Sequence, residues 1–263
     1  VLQSRGLGDV YKRQTLTFEA INQFASKTMK TNVVRVPMTK EIGIDLKTTG
    51  QMVNSKTNMV YLCNPNNPTG VVMNHKELEV FCKETSKKSI VFVDEAYHEY
   101  VMDKQYRSMV SLVNEGYDVL ISRTASKVHG LAGLRVGYAI STPKIIKRLN
   151  SYMNGSLNVV GLRGAIASYK DKRFQKFSIE KNNEGRTIVT DYLDKKGIEY
   201  LDSQTNFIFI KTGIDIKKFQ PAMEKHKVLV GRPFPPYTDW CRLSIAKPEE
   251  MESFNKGFNK ELG

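Results

Sequence analysis

Two spacings of apolar residues alternate along this chain, and together they predict an α/β fold. Short runs that are almost entirely apolar recur at residues 59–63, 89–93, 119–122 and 137–140, as is typical of strands buried on both faces of a sheet. Between such runs the apolar residues recur at helical spacing, as in residues 75–87. We therefore expect a mostly parallel sheet that is covered by helices on both faces.

The pattern changes towards the C-terminal end, where it predicts a smaller α+β domain. Helices are expected at residues 159–184, 187–195, 216–225 and 248–260, and strands at residues 206–211, 228–230 and 241–245. We place the large domain at residues 15–165 and the small domain at residues 166–263.

The start of the chain differs from the remainder. Residues 9–14 read DVYKRQ, which resembles the translation of a transposon-end sequencing adapter, and a helical pattern follows abruptly. Residues 1–14 contain no apolar stretch of the kind that a secretory signal needs. We therefore predict a non-native leader over residues 1–14 and a large domain that is incomplete at its N-terminus.

Composition narrows the possible function classes. The chain has 263 residues, of which 40% are hydrophobic, and a formal net charge of +13. Its lysines are scattered through predicted helices and form no stripe, so we expect no nucleic-acid partner. No run of about 18 apolar residues occurs, so we expect no membrane span. The three cysteines lack metal-ligand spacing, which favours reduced thiols in a cytoplasmic protein and predicts no metal site.

Two motifs that follow predicted strands carry candidate chemistry. Residues 62–70 read LCNPNNPTG, and the two prolines fix the backbone, so Asn67 is presented rigidly at a strand end. In VFVDEAYHEY, residues 91–100, Asp94 ends a strand, where a carboxylate is costly unless it meets a cation or a metal. Tyr97 lies three residues further on and could reach the same pocket. An ordinary proline turn and a helix N-cap are the respective alternatives.

A third motif, SRTASKVHGLAGLRVGY at residues 122–138, centres on Lys127. Small hydroxyl residues flank this lysine, and glycines surround Arg135, which lies eight positions further on. A tight backbone that carries two basic groups suits anion binding. For this motif alone, a solvated surface lysine is the alternative.

In order and spacing, NPNNPTG, VDEAY and SK-x-x-GLAGLRVG resemble the motifs of the fold-type I pyridoxal-phosphate (PLP) aminotransferases. The chain is most similar to the histidinol-phosphate aminotransferase-like branch of class I/II, from about residue 15 to the C-terminus. The resemblance implies a PLP-binding large domain, a small C-terminal domain and a homodimer for the full-length protein. It also implies pyridoxal 5′-phosphate as cofactor and small-molecule substrates, namely an amino acid and a 2-oxo acid or an imidazole or aromatic ketone.

The resemblance also assigns roles around the cofactor ring. Lys127 would bind the cofactor aldehyde covalently and later move a proton between the substrate's Cα and the cofactor's C4′. Asp94 would keep the pyridine nitrogen protonated. Asn67 and Tyr97 would hydrogen-bond the 3′-oxygen of the ring.

The remaining matches are to anion-binding positions of the family. Thr124, Ser126 and Arg135 match residues that hold the cofactor phosphate, and hydroxyls with a guanidinium suit a dianion. Arg242 matches the arginine that binds the substrate's carboxylate or phosphate, and Asn206 matches a position near it. A strand arginine in a surface ion pair is the alternative for Arg242.

Two other functions are compatible with these motifs. A decarboxylase of the same fold, of the threonine-phosphate type, shares nearly all these motifs, and a non-catalytic PLP-binding domain of a transcription regulator shares the cofactor site. Members of the family also carry N-terminal residues that bind the phosphate and stack on the ring, and residues 1–14 replace neither. We therefore predict that the parent protein is an active transaminase and that this chain binds the cofactor weakly or not at all.

Overall fold

A six-stranded sheet forms the centre of the larger part of the protein. The computed structural model describes residues 10–153 and 155–262. The strands are β1 (Val10–Gln14), β2 (Asn32–Val36), β3 (Thr57–Cys63), β4 (Ile90–Asp94), β5 (Val119–Thr124) and β6 (Gly137–Ile140). Their order is β2-β1-β3-β4-β5-β6, and neighbours run parallel except β6, which is antiparallel to β5. The predicted mostly parallel sheet is therefore confirmed.

Helices pack on this sheet, and the residues of β3 alternate between two buried clusters. The helices are α1 (Ala20–Gln23), which continues as a π-helical turn (Phe24–Thr28), α2 (Leu46–Met52), α3 (His75–Thr85), α4 (Val110–Asn114) and α5 (Pro143–Asn150). Val60 and Leu62 join the cluster that contains residues of α3 and α4, whereas Met59 and Tyr61 join the cluster against which Ile21 of α1 packs. A strand buried on both faces explains why this run is apolar throughout.

Two long helices follow the sheet, α6 (Val159–Lys170) and α7 (Lys172–Lys196). The prediction of a single helix over residues 159–184 is wrong, because the helix is interrupted at Asp171. The carboxylate of Asp171 accepts a hydrogen bond from Phe174 N at 2.9 Å and caps the start of α7. The second predicted boundary, near residue 185, is also wrong, since α7 continues to Gly197, which ends it with φ of 65°. Apolar spacing alone does not reveal a helix start that one capping side chain sets.

The C-terminal part is built on a two-stranded antiparallel sheet of β7 (Phe207–Lys211) and β8 (Trp240–Ser244). Together with α7, it is covered by α8 (Ile216–Glu224) and α9 (Pro248–Leu262), and residues such as Ile208, Phe219 and Phe254 share one buried cluster. These elements match the expected smaller α+β unit. No helix in the described ranges is long and apolar enough to cross a membrane.

The strand predicted at residues 228–230 is wrong. Lys227 adopts a left-handed φ of 60°, and Leu229 is 80% exposed. Val228 and Val230 nevertheless pack against the cluster formed by α7, α8 and α9. The apolar residues of this segment therefore reflect the packing of an irregular loop and not a strand.

Two predictions about the boundaries of the chain's parts remain predictions. Residues 10–14 of the predicted leader form β1, which lies between β2 and β3, and residues 1–9 lie outside the described residues. Strand formation does not depend on the origin of a segment, so a non-native leader stays a prediction. The domain boundary predicted between residues 165 and 166 lies within α6.

Candidate active site

The C-terminal ends of β3, β4 and β5 meet at one edge of the sheet and bring the three motifs together. In the strand register Cys63 lies beside Asp94, and Asp94 lies beside Ser122. β5 ends at Thr124, three residues before Lys127. Parallel sheets bind ligands at this edge, so the topology places the candidate residues where a ligand is expected.

Asp94 is a buried carboxylate, with 9% of its surface exposed. Tyr61 Oη donates a hydrogen bond to its Oδ2 at 3.0 Å, and Ser122 Oγ donates to its Oδ1 at 2.8 Å. Burial raises the pKa of Asp94, whereas the bonds from Ser122 and Tyr61 and the charge of Lys127 lower it. The carboxylate is fixed in direction and poorly solvated, so a cationic N–H group would bind to it strongly.

Lys127 lies in the loop after β5, and its Nζ is 4.8 Å from the centre of the Tyr97 ring. Burial lowers the pKa of Lys127, the charge of Arg242 lowers it further, and the charge of Asp94 opposes them. A lower pKa makes the neutral amine more available near neutral pH, and the neutral amine is the form that attacks a carbonyl group. These surroundings differ from those of a solvated surface lysine.

Asn67, Tyr97 and Arg242 form a chain of contacts beside this lysine. Asn67 Nδ2 donates to Tyr97 Oη at 3.3 Å, and Arg242 Nη1 donates to Asn67 Oδ1 at 2.8 Å. Asn67 and Tyr97 are 8% and 4% exposed, respectively. Burial raises the pKa of Tyr97, so the phenol stays protonated and can donate. The small sheet thus contributes a guanidinium directly to the motifs of the large sheet.

Arg242 lies among aromatic rings and keeps one donor unused. Its guanidinium carbon is 5.2 Å from the centre of the Phe207 ring and 5.4 Å from that of Phe234. Among the described residues, its buried Nε has no hydrogen-bond partner. The guanidinium carbon of Arg232 lies 4.3 Å from the centre of the same Phe234 ring, and Arg232 Nη1 donates to the carbonyl of Pro233 at 3.0 Å. A half-buried cation with a buried, unused donor is suited to an anionic ligand.

The predicted phosphate-binding residues lie in and after the lysine loop. Thr124 Oγ1 accepts a bond from Ser126 N at 3.1 Å, and both residues are half-buried. Arg135 is exposed, has a left-handed φ of 55°, and donates from Nη1 to the carbonyl of Ala132 at 2.8 Å. Its charge lowers the pKa of Lys127, so it lies within electrostatic range of that amine.

Asn206 is placed differently from the other predicted residues. It is half-buried and directly precedes β7, and its carbonyl accepts a bond from Ile245 N at 2.8 Å. This bond connects it to the chain just after β8. The contacts that link Asn67, Tyr97, Lys127 and Arg242 do not include it.

Sequence reasoning missed two features of the site. Tyr61 is a partner of Asp94 although the two residues are 33 positions apart. The available signal is a tyrosine inside the apolar run at residues 59–63, because a buried phenol needs a hydrogen-bond partner. The second feature is an ion pair of Glu95 and Arg123, each next in sequence to a residue that faces the site.

Residues 14–256 match the family described as Aminotransferase class I and II. The chain belongs to this family. Histidinol-phosphate aminotransferase 2 of Hydrogenovibrio crunogenus is 34% identical over 247 residues, which are 92% of this chain and 66% of that protein. Histidinol-phosphate aminotransferase of Brevibacillus brevis is 39% identical over 188 residues, which are 70% of this chain and 50% of that protein. The chain thus spans from 50% to 66% of the length of these two relatives.

Solved aminotransferase structures share the fold. A putative histidinol-phosphate aminotransferase from Erwinia carotovora atroseptica superposes with a TM-score of 0.92 at 32% identity, over 97% of this chain and 75% of that chain. Histidinol-phosphate aminotransferase from Sinorhizobium meliloti, solved in complex with pyridoxal-5′-phosphate, gives a TM-score of 0.86 at 24% identity, over 99% of this chain and 72% of that chain. The predicted aminotransferase fold, with a large α/β part and a smaller C-terminal part, is therefore confirmed.

Proposed function

We propose that the full-length protein is a PLP-dependent aminotransferase, with Lys127, Asp94, Asn67 and Tyr97 in its cofactor site. The observation that carries this proposal is the lysine amine placed 4.8 Å from the centre of the Tyr97 ring and within electrostatic range of the buried carboxylate of Asp94. Membership of the aminotransferase family supports the reaction class.

The residues present fit the chemical groups of this cofactor. Asp94 offers a buried acceptor for a protonated ring nitrogen, and its two oxygens have lone pairs beyond those used by Tyr61 and Ser122. Asn67 and Tyr97 supply adjacent donors, 3.3 Å apart, for a phenolic oxygen. Arg135, with Thr124 and Ser126, would hold the phosphate. The unused Nε of Arg242 is left for a substrate anion.

The chemistry can be divided between the cofactor and the chain. When bound, pyridoxal phosphate supplies an aldehyde and an electron-accepting ring. Asp94 would hold a proton at the ring nitrogen, because a carboxylate at this position favours the charged form of its partner. Lys127 Nζ would take a proton from the substrate's Cα and deliver it to the cofactor's C4′. Arg242 would orient the substrate through its carboxylate.

We extend to this chain the substrate class named for its relatives. The two relatives compared above are histidinol-phosphate aminotransferases. Their names support an amino donor that resembles histidinol phosphate, with a 2-oxo acid as acceptor. The half-buried Arg242, which can bind a carboxylate or a phosphate, is consistent with such substrates. A homodimer and a cytoplasmic location are proposed with this assignment, on the basis of the family.

The test uses the complete reading frame, with the variants Lys127→Ala and Lys144→Ala. Lys144 is the matched control, since its side chain is 82% exposed and forms an ion pair with Asp118, which directly precedes β5. The assay follows formation of glutamate from 2-oxoglutarate with histidinol phosphate as amino donor. We expect Lys127→Ala to lower the rate by roughly 1000-fold or more, which is within the range expected when a group that transfers a proton is removed. The control should keep wild-type activity.

Two results would change this assignment, and a third would contradict the prediction of weak cofactor binding. Transamination that survives Lys127→Ala would disprove the role of the lysine. Release of carbon dioxide without transamination would favour the decarboxylase. On this chain, an absorbance titration with pyridoxal phosphate should give only a weak band of bound cofactor or none, and a stable band would contradict the prediction of weak cofactor binding.

A further inference from the structure

A buried ion pair lies directly behind the candidate site, and the mechanism above does not use it. The side chains of Glu95 and Arg123 are 1% and 17% exposed. Arg123 donates from Nε at 3.1 Å and from Nη2 at 2.8 Å to one Glu95 oxygen, Oε2. Burying two charges is costly unless they are well bonded to each other and to their neighbours.

The same carboxylate is tied to the start of α4. Ser108 Oγ lies 2.9 Å and 2.8 Å from the two Glu95 oxygens, and Met109 N donates to Oε1 at 3.0 Å. Arg123 Nη2 also donates to Ser108 Oγ at 2.9 Å. Both oxygens of Glu95 therefore have partners, so the pair is held in one arrangement.

The Glu95–Arg123 ion pair lies one residue further along both strands than the hydrogen-bonded pair Asp94 and Ser122, which faces the site. Glu95 follows Asp94, Arg123 follows Ser122, and Asp94 and Ser122 are register partners in β4 and β5. Successive residues along a strand point to opposite faces. The bond from Ser122 to Asp94, 2.8 Å long, and the Arg123–Glu95 pair are thus on opposite faces of the same two strand ends. A backbone bond from Glu95 N to Ser122 O, 3.0 Å long, lies between them.

We propose that Glu95 and Arg123 are positioning residues whose ion pair sets the distance between Asp94 and Lys127. Arg123 immediately precedes Thr124, the last residue of β5, so a displacement of Arg123 would move the start of the lysine loop. The proposal rests on the proposed function for the roles of Asp94 and Lys127 in catalysis. That the Glu95–Arg123 ion pair fixes the ends of β4 and β5 relative to each other rests on the contacts alone.

The decisive variant replaces both charges at once, as Glu95→Met/Arg123→Met. Apolar replacement of a buried ion pair often keeps or raises stability, but it removes the directional bonds. We therefore expect a melting temperature close to that of the wild type. We also expect the apparent pKa of Lys127 to fall by about 0.5 or more, because Asp94 would no longer be held close enough to stabilise the ammonium form.

The measurement is the pH dependence of acetylation of Lys127 by acetic anhydride, read by mass spectrometry on this chain without cofactor. The other charged and titratable groups that act on Lys127 are Cys63, Arg242 and Arg135, besides Asp94. The double variant replaces none of these groups. A shift therefore reports a change in their distances from the amine, which a purely stabilising ion pair would not produce.

Arg186→Met is the matched control for destabilisation in general. Arg186 is half-buried in α7, and its Nη1 donates to Ser203 O at 2.7 Å. This variant should lower the melting temperature and leave the pKa of Lys127 unchanged. A wild-type pKa in a stable Glu95→Met/Arg123→Met variant would overturn the proposal, as would an equal shift in Arg186→Met.

A second variant decides the question if the double variant does not fold. Arg123→Lys keeps the charge and loses the forked pair of bonds to Glu95. A folded Arg123→Lys chain with a lowered Lys127 pKa supports positioning, and an unchanged pKa overturns it. If the complete wild-type protein does not bind pyridoxal phosphate, the proposed function fails, while the labelling of Lys127 still decides the role of the ion pair.

Discussion

The hydrogen bond from Tyr61 to Asp94 gives a sharp test of how this site holds a buried carboxylate. The substitution Tyr61→Phe removes the donor and keeps the ring. Tyr61 is 0% exposed, and its ring packs edge-on against Phe92 with 5.3 Å between ring centres. The variant should therefore lose the bond of 3.0 Å to Oδ2 with little change in packing.

The size of the effect depends on the charge of Asp94. A hydrogen bond to an ionised group contributes about 1.5–3 kcal/mol, and a bond between neutral groups contributes about 0.5–1.5 kcal/mol. Burial already raises the pKa of Asp94, and the bond from Tyr61 is one of the contacts that lower it. Removing this bond raises that pKa further. We therefore expect Tyr61→Phe to reduce the free energy of unfolding more at high pH, where Asp94 is ionised, than at low pH.

Urea unfolding of the wild type and Tyr61→Phe, measured from about pH 5 to about pH 9, provides the assay. Tyr200→Phe is the control, because Tyr200 Oη donates to Asp194 Oδ1 at 2.9 Å in an exposed position. Exposed bonds of this kind contribute little, about 0.5 kcal/mol or less, at any pH. A loss in Tyr61→Phe that is the same at all pH values would refute a role for Tyr61 in stabilising ionised Asp94.

Three further substitutions test single features of the site and its surroundings. Asp94→Asn should raise the free energy of unfolding at neutral pH but not at low pH in urea titrations, because a folded pKa raised by burial makes the wild type lose stability as pH rises through it. His129→Phe should remove a loss of melting temperature that begins as pH falls below about 6.5, since burial lowers the pKa of this histidine in the folded state. Gly70→Ala should cost about 2–4 kcal/mol in thermal unfolding followed by circular dichroism, because φ is +78° and the new Cβ would lie 2.6 Å from Ser203 Cβ.

The sheet and the positions of the motifs could be predicted because both follow from local patterns. The central residues of β3, β4 and β5 are apolar and polar residues follow them, so the pattern predicts that Asp94 and the lysine loop lie at one edge of the sheet. The break at Asp171 and the irregular run at residues 228–230 could not be predicted in this way. The break at Asp171 depends on a single hydrogen bond that caps α7. The conformation of residues 228–230 depends on packing against helices that are distant in the sequence.

The assembly of the site depends on contacts between residues far apart in the sequence. The bond between Arg242 and Asn67 joins residues 175 positions apart. Only the family resemblance implies that both residues belong to one site, and it does not imply a bond between them. Glu95 lies in the motif VFVDEAYHEY and Arg123 in the motif SRTASKVHGLAGLRVGY, but the motifs give neither residue a role and do not indicate that the two form an ion pair. Patterns along a strand identify which residues alternate between faces, but they do not identify which buried charges pair across neighbouring strands.

The acidic and basic groups of the site are satisfied to different degrees, and this difference has a consequence for ligand binding. Both oxygens of Asp94 already accept hydrogen bonds from protein hydroxyls. By contrast, the Nε of Arg242 has no partner among the described residues, and the charges of Arg242 and Arg135 both lower the pKa of Lys127. An anion bound at either arginine would offset that charge and raise the pKa of Lys127. Because such coupling is reciprocal, protonation of Lys127 would strengthen anion binding by the same factor.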